Sequence, residues 1–259
     1  MERLLRIALG IEYDGTDFFG WQRLSQGRSV QGDVEAALSF VADHPLEVTC
    51  AGRTDAGVHA CCQVVHFDSA AKRDERAWVH GANSRLAADV AVLWAQPVAD
   101  EFHARFGARA RRYRYLIQNR PIRAALHARF VTWERQPLDV DAMQGAARVL
   151  LGEHDFTSFR TLACQAKSPV RTIHSITMAR AQDEVSIEIE ANAFLHHMVR
   201  NIVGSLLPIG RGERAPQWLA EVLQARDRSI AGPTAPATGL TFIAPRYPSA
   251  WKLPEQLTL

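Results

Sequence analysis

Four cysteines in 259 residues, Cys50, Cys61, Cys62 and Cys164, are too few for a disulfide scaffold. No C-x-x-C pair occurs, which excludes a zinc ribbon and a redox dithiol and leaves small thiols in a reducing compartment. No apolar run approaches the roughly 20 residues of a membrane helix. The charges of Glu2, Arg3, Arg6, Glu12 and Asp14 fall where a secretory leader would be apolar, so a soluble, cytoplasmic protein is expected. There is no G-x-x-x-x-G-K-[ST], and Gly204, Gly210 and Gly212 lie in or after a helical pattern, so neither a P-loop nor a dinucleotide fingerprint is supported. His196 and His197 lack the spacing that puts two metal ligands on one helical face, and a site without metal is expected.

Lysine is also scarce. Only Lys72, Lys167 and Lys252 occur, and the other 27 of the 30 basic residues are arginines. That preference fits a GC-rich coding bias as well as a function, because arginine's planar fork suits phosphate and stacks on bases. Position separates the two. Residues 102–133 contain no Asp or Glu but hold Arg105, Arg109, Arg111, Arg112, Arg114, Arg120, Arg123 and Arg129, interleaved with Phe106, Tyr113, Tyr115 and Phe130. A basic stretch with aromatics has the make-up of a track for a nucleic-acid backbone with stacking platforms.

The composition, 47% apolar and 22% charged, supports a real core. Periodicity predicts strands at 4–13, 46–50, 62–67 and 90–98 and helices at 30–42, capped by Ser29, and at 74–86. The order is β-α-β-β-α-β. The second half repeats it with a strand at 112–118, a helix at 140–151, a hairpin of 173–180 and 185–191, and a helix at 194–209. An extra helix at 217–225 precedes a strand at 238–244. Tyr113, Tyr115 and Ile117 alternate with Arg112 and Arg114, placing rings and guanidinium groups on opposite faces. The expected class is therefore α+β: two tandem ferredoxin-like β-α-β-β-α-β subdomains, 1–104 and 105–259, with mainly antiparallel sheets.

The densest polar segment is AGRTDAGVHA, residues 51–60, between two predicted strands. Arg53, Thr54 and Asp55 stand between Gly52 and Gly57, which permit positive φ and leave room for a ligand. On chemistry alone Asp55 is a base, a nucleophile or a turn cap, and the cap is the commonest use of Asp in such a turn.

AGRTDAGVHA resembles the active-site motif of the tRNA pseudouridine synthases of the TruA type. Five further segments fit that family in the same order: IEYDGTDFFGWQRL at 11–24, SVQGDVEAAL at 29–38, ARRYRYLI at 110–117, FLHHMVRNIVGSL at 194–206 and APATGLTF at 235–242. Each is a weak pattern alone, whereas six in order around Gly-Arg-Thr-Asp-x-Gly are highly specific. The resemblance runs from about Ile7 to Pro245. It implies an isomerase that converts uridine to pseudouridine at positions 38, 39 and 40 of the tRNA anticodon arm, without metal or organic cofactor. The substrate cleft between the subdomains and a homodimer are implied as well.

The resemblance makes Asp55 the nucleophile, acting on the ribose C1′ or on the uracil ring. Its reference pKa near 3.9 favours the ion in water, while a closed pocket would oppose it, so a cation must stand nearby. Arg200 of MVRN is implied as that partner, and a buried guanidinium is reasonable only when paired. Tyr113 would stack on the base and shuttle a proton. Leu240 resembles the apolar wall under the base, a position a core leucine fills equally well. Arg53 resembles the arginine that helps draw the nucleotide from its stack. Asp14 and Gln22, with Tyr13, Phe18 and Trp21 of the 11–28 loop, are expected to touch RNA or shape the pocket mouth. Two rivals remain: a non-catalytic RNA-binding protein of the same fold, and a metal-dependent nucleic-acid hydrolase using Asp14, Asp17 and Asp55.

Overall fold

The structure, a computed structural model, describes residues 4–259, so Glu2 and Arg3 lie outside it. Among the described residues there are ten strands and five α-helices, arranged as two compact units. One unit comprises the chain up to Ala110 together with Thr241–Leu259, and the other is Arg111–Leu240. The sequence reading divided the chain once, between 104 and 105. The structure instead returns the last strand and tail to the first unit.

The first unit follows the expected order, with β1 (Leu5–Tyr13), α1 (Val30–Ala42), β2 (Thr49–Cys50), β3 (His59–Ser69), α2 (Glu75–Asn83) and β4 (Val90–Pro97). β1 pairs antiparallel with both β3 and β4, and β2 pairs antiparallel with β3, giving the strand order 4-1-3-2 of a ferredoxin-like sheet. Ser29 caps α1 by accepting the Gly32 N–H, and Asp74 caps α2 by accepting the Ala77 N–H at 2.7 Å. Val30, Val34, Ala37, Leu38 and Val41 form the buried stripe of α1, as their spacing predicts. Ile7–Ile11 are all buried, so the centre of this sheet is covered on both faces. Part of that cover is the returning tail. Tyr247 and Leu257 are fully buried in a cluster with Ala8, Val64 and Phe102, and the Tyr247 hydroxyl donates to the Ala104 carbonyl at 2.6 Å.

The second unit contains β5 (Ala110–Asn119), β6 (Thr132–Glu134), α3 (Val140–Ala147), β7 (Gly152–Asp155), β8 (Val170–Ala181), β9 (Glu184–Ala191), α4 (Met198–Gly210) and α5 (Trp218–Ala225). β10 (Leu240–Arg246) begins at its end, and Thr241 and Phe242 then pair parallel with His59 and Ala60 of β3. The predicted hairpin forms, β8 and β9 being joined through Gln182 at φ 54° and Asp183. Three details differ from the sequence reading. β6 and β7, three and four residues long, are too short to show alternation. The helix expected over 140–151 leaves the α conformation at Arg148, tightens into a 3₁₀ turn and ends before Gly152, whose φ of 90° starts β7. The helix expected from Phe194 begins at Met198. His197 takes a left-handed φ of 61°, and the Met198 N–H bonds the Leu195 carbonyl, so an apolar turn imitates the helical spacing.

Candidate active site

In the first unit, Asp55 lies on the loop that joins β2 to β3, and three contacts hold that loop from behind. The Ala51 N–H bonds the Val64 carbonyl at 2.8 Å. Gln63, fully buried in β3, grips both backbone groups of Gly52: its Nε2 donates to the carbonyl at 2.5 Å and its Oε1 accepts the N–H at 3.3 Å. The Tyr13 hydroxyl and the buried Thr54 hydroxyl share a 2.8 Å bond. Burial raises the Tyr13 phenol well above its ordinary range, so it remains a neutral hydrogen-bonding group. Gly57 turns the chain at φ 77°, and the Val58 N–H closes the turn on the Asp55 carbonyl at 3.2 Å. Arg53 is exposed, Thr54 points inward and Asp55 is half-buried. A carboxylate is thus presented at the surface of a loop whose backbone is pinned.

The 14–28 loop braces this arrangement. The Trp21 N–H bonds the Thr54 carbonyl at 3.0 Å, the Gly57 N–H bonds the Phe18 carbonyl at 3.4 Å, and both rings are buried. Arg28 lies over the Phe18 ring at 4.2 Å and pairs with Asp33 and Asp89. Asp14 directs its Oδ1 to the Thr16 N–H and hydroxyl, at 3.0 and 2.6 Å, with His59 Nδ1 at 3.1 Å. Its carboxylate therefore caps its own turn. Gln22 is exposed on the same loop. Among the residues expected on this side, Arg53 and Asp55 share one loop, whereas Asp14 serves the brace. Cys50, just before the loop, has its thiol pushed up to about 11 by burial, with Arg53 and Arg105 opposing the shift.

In the second unit, three of the six sequence segments converge. On β5, Tyr113 is buried and meets the Phe194 ring edge-on at 5.0 Å. Two residues along, Tyr115 is wholly buried, its hydroxyl shared with Thr132 Oγ1 at 2.6 Å and donating to the Pro236 carbonyl at 2.9 Å. Burial pushes the Tyr115 phenol up to about 12, against the bond to Thr132 and the charge of Arg200. Arg200, half-buried on the first turn of α4, donates from Nε to the Ala235 carbonyl at 2.7 Å, while the Ala235 N–H bonds the Arg200 carbonyl at 3.1 Å. The following Gly239 carbonyl accepts the Leu116 N–H at 2.9 Å, and Leu240 is buried.

A buried polar network secures this strap. Asn201, fully buried, donates to the Phe159 carbonyl at 2.8 Å and accepts from Thr234 at 2.6 Å and Arg228 at 3.1 Å. Ser205 accepts the Gly232 N–H at 3.0 Å. Gly204 lets the strap approach, since a Cβ there would run into the Pro233 carbonyl. Gln63 and Asn201 were not singled out from the sequence. The available signal was a polar side chain inside an apolar run, CCQVVHF and RNIVG, which demands partners once buried.

The basic stretch is partly paired with acids. Strand pairing sets Arg112 opposite Glu190 and Arg114 opposite Glu188, and Arg114 contacts Glu188 at 2.6 Å. Acids absent from the segment itself are supplied by its neighbour β9. Arg105, Arg109, Arg123 and Arg129 are exposed.

Residues 10–107 and 146–248 match the family described as tRNA pseudouridine synthase. A tRNA pseudouridine synthase A of Xanthomonas axonopodis pv. citri is 57% identical over 256 residues, covering 98% of this chain and 100% of the relative. A protein of the same name from Stenotrophomonas maltophilia is 55% identical over the same span. Among solved structures, a Cbf5-Nop10-Gar1 complex matches with a TM-score of 0.37 at 10% identity, over 78% of this chain and 45% of that one. That likeness adds nothing to what the relatives establish.

Proposed function

The chain belongs to the tRNA pseudouridine synthase family, and from that premise we propose that it isomerises uridines 38, 39 and 40 of the tRNA anticodon arm, with Asp55 as nucleophile. The enzyme is an isomerase acting on tRNA. The reaction breaks the bond from uracil N1 to ribose C1′, turns the base and joins C5 to C1′. The C5 proton leaves and N1 gains one, so the net change is an isomerisation. Asp55 forms a covalent bond to C1′ or to the uracil ring and is released in the second half of the reaction.

The observation that carries this reading is the pinned loop: a half-buried carboxylate on a backbone fixed by Gln63, Thr54 and the 14–28 brace. A nucleophile held this way does not have to be ordered again during the reaction. Arg200 supplies the balancing charge, and its tie to the Ala235 carbonyl fixes its Nε. Tyr113 stacks on the uracil and handles a proton, Leu240 floors the pocket, and Arg53 helps keep the nucleotide out of its stack. Gln22 contacts RNA from the brace loop. No metal or organic cofactor takes part. The enzyme works as a homodimer in the cytoplasm, where two copies offer the basic surface that a tRNA needs.

The test incubates the purified chain with unmodified tRNA transcripts in EDTA and maps pseudouridine position by position. Conversion at 38–40 is expected, with Asp55→Ala binding tRNA normally and forming none. A chelator-sensitive strand break would identify a hydrolase. Unchanged binding by a wild-type chain that forms no pseudouridine would identify a non-catalytic RNA-binding protein.

A further inference from the structure

Phe106 is about three-quarters exposed, an unusual position for a large apolar ring packed against its neighbours. It packs against His103 with centroids 4.4 Å apart and planes tilted by 34°, and His103 packs against His66 at 4.8 Å with planes tilted by 57°. Below them, His66 meets the edge of buried Phe102 at 6.0 Å. The result is a column of rings running from the core of the first unit to its surface.

Backbone donors lock the column. His103 Nδ1 accepts the N–H groups of both Arg105 and Phe106, each at 3.1 Å, and the Gly107 N–H closes the turn on the His103 carbonyl at 2.8 Å. His66 Nδ1 accepts the Ala104 N–H at 3.2 Å, and its ring also bonds the Thr49 backbone. Both imidazoles are thus held as neutral acceptors at Nδ1, and burial lowers the pKa of each. Thr49 stands opposite His66 in the β2–β3 pairing, so the base of the column sits where the strand enters the Asp55 loop. Arg105 lies over the Phe106 ring at 5.5 Å, and Arg109 is exposed on the same segment.

We propose that Phe106, supported by His103 and His66 and flanked by Arg105 and Arg109, is a stacking platform for an unpaired nucleobase of the RNA substrate. The proposal rests on the tRNA reading above and adds a contact outside the reacting nucleotide. An exposed ring already fixed in place loses little entropy when a base lies on it, and every base has a face to offer. The two arginines select the occupant. A ligand with aromatic faces along a chain of negative charge matches them, whereas an apolar protein surface would leave them desolvated.

Binding of an unmodified tRNA transcript to Phe106→Ala, Phe106→Leu and Phe106→Tyr tests this, alongside single-turnover rates at saturating enzyme. Loss of one base–aromatic stack predicts affinity about 5- to 150-fold weaker for the Ala and Leu variants, with a single-turnover rate close to wild type. Phe106→Tyr, which keeps the flat face, restores binding. The salt dependence of binding stays as in the wild type for these variants, whereas Arg105→Ala lowers its slope by about one. Wild-type affinity in Phe106→Ala, or in Phe106→Leu if the former melts early, overturns the proposal. So does conversion of a dimer to a monomer in sedimentation, which would assign the ring to a second copy. If the wild-type chain forms no pseudouridine but the Ala variant still loses RNA affinity, the enzymatic reading fails and the platform stands.

Discussion

Tyr113 and Tyr115 are separated by one residue on a single strand face, yet their surroundings divide them. Tyr115 has both its hydroxyl contacts inside the second unit, to Thr132 and Pro236, and is wholly buried. Tyr115→Phe therefore removes two buried hydrogen bonds, at a cost of about 1–3 kcal/mol in unfolding free energy, and leaves the chemical step near wild type. Tyr113→Phe should instead slow the single-turnover rate, measured at a temperature where the variant is fully folded. If both variants lost only stability, Tyr113 would have no part in the chemistry. Asp55 shows the opposite relation between sequence and surroundings. The sequence marks its loop by Gly-Arg-Thr-Asp-x-Gly, but the residues that pin that loop are dispersed across Tyr13, Phe18, Trp21 and Gln63.

At the scale of elements, the joint between α4 and the 228–235 strap positions Arg200. Gly204→Ala adds a methyl group that must displace the Pro233 carbonyl, moving the strap that carries Ala235. Overpacking of this kind costs about 1–3 kcal/mol. The variant should melt earlier and lose more activity than Gly145→Ala, where a Cβ meets nothing within 4 Å. Equal activity in the two variants would separate the strap from catalysis. The periodicity of 30–42 located α1 accurately because a cap and a single buried stripe agree. It placed the start of α4 four residues early because Leu195 and Met198, both buried, keep helical spacing through a turn. Local pattern cannot distinguish a helix from a turn that buries the same face.

For the whole molecule, charge and pH are the accessible controls. Burial, with His103 and Arg6 nearby, lowers the pKa of His66 from 6.5 to about 4. The unfolded chain then binds this proton more readily than the folded one. The His66 contribution to stability is accordingly complete above pH 6.5 and lost as pH falls from 6.5 toward 4. Melting temperatures measured across that window should fall more steeply for the wild type than for His66→Asn; parallel curves would show that this residue is not responsible. Affinity for tRNA should weaken with salt as counterion release diminishes. Arg123→Ala should lower the slope of that dependence by about one, whereas Arg114→Ala, already paired with Glu188, should leave it nearly unchanged. Equal effects of the two substitutions would mean that RNA displaces Glu188.

The sequence by itself determined the class of the fold, the order of its main elements and the family to which the chain belongs. Periodicity, caps and a six-segment signature are local properties that survive in a linear string. Only tertiary structure decided which arginines face carboxylates of β9, because Glu188 and Glu190 reach β5 from about 75 residues away through strand register. It alone returned 241–259 to the first unit, through a parallel pairing with β3 and the burial of Tyr247. The Phe102–His66–His103–Phe106 column is likewise an outcome of packing. The physical reason is common to all three. Burial and pairing depend on which distant groups exclude water from a residue, and that is a property of the assembled chain.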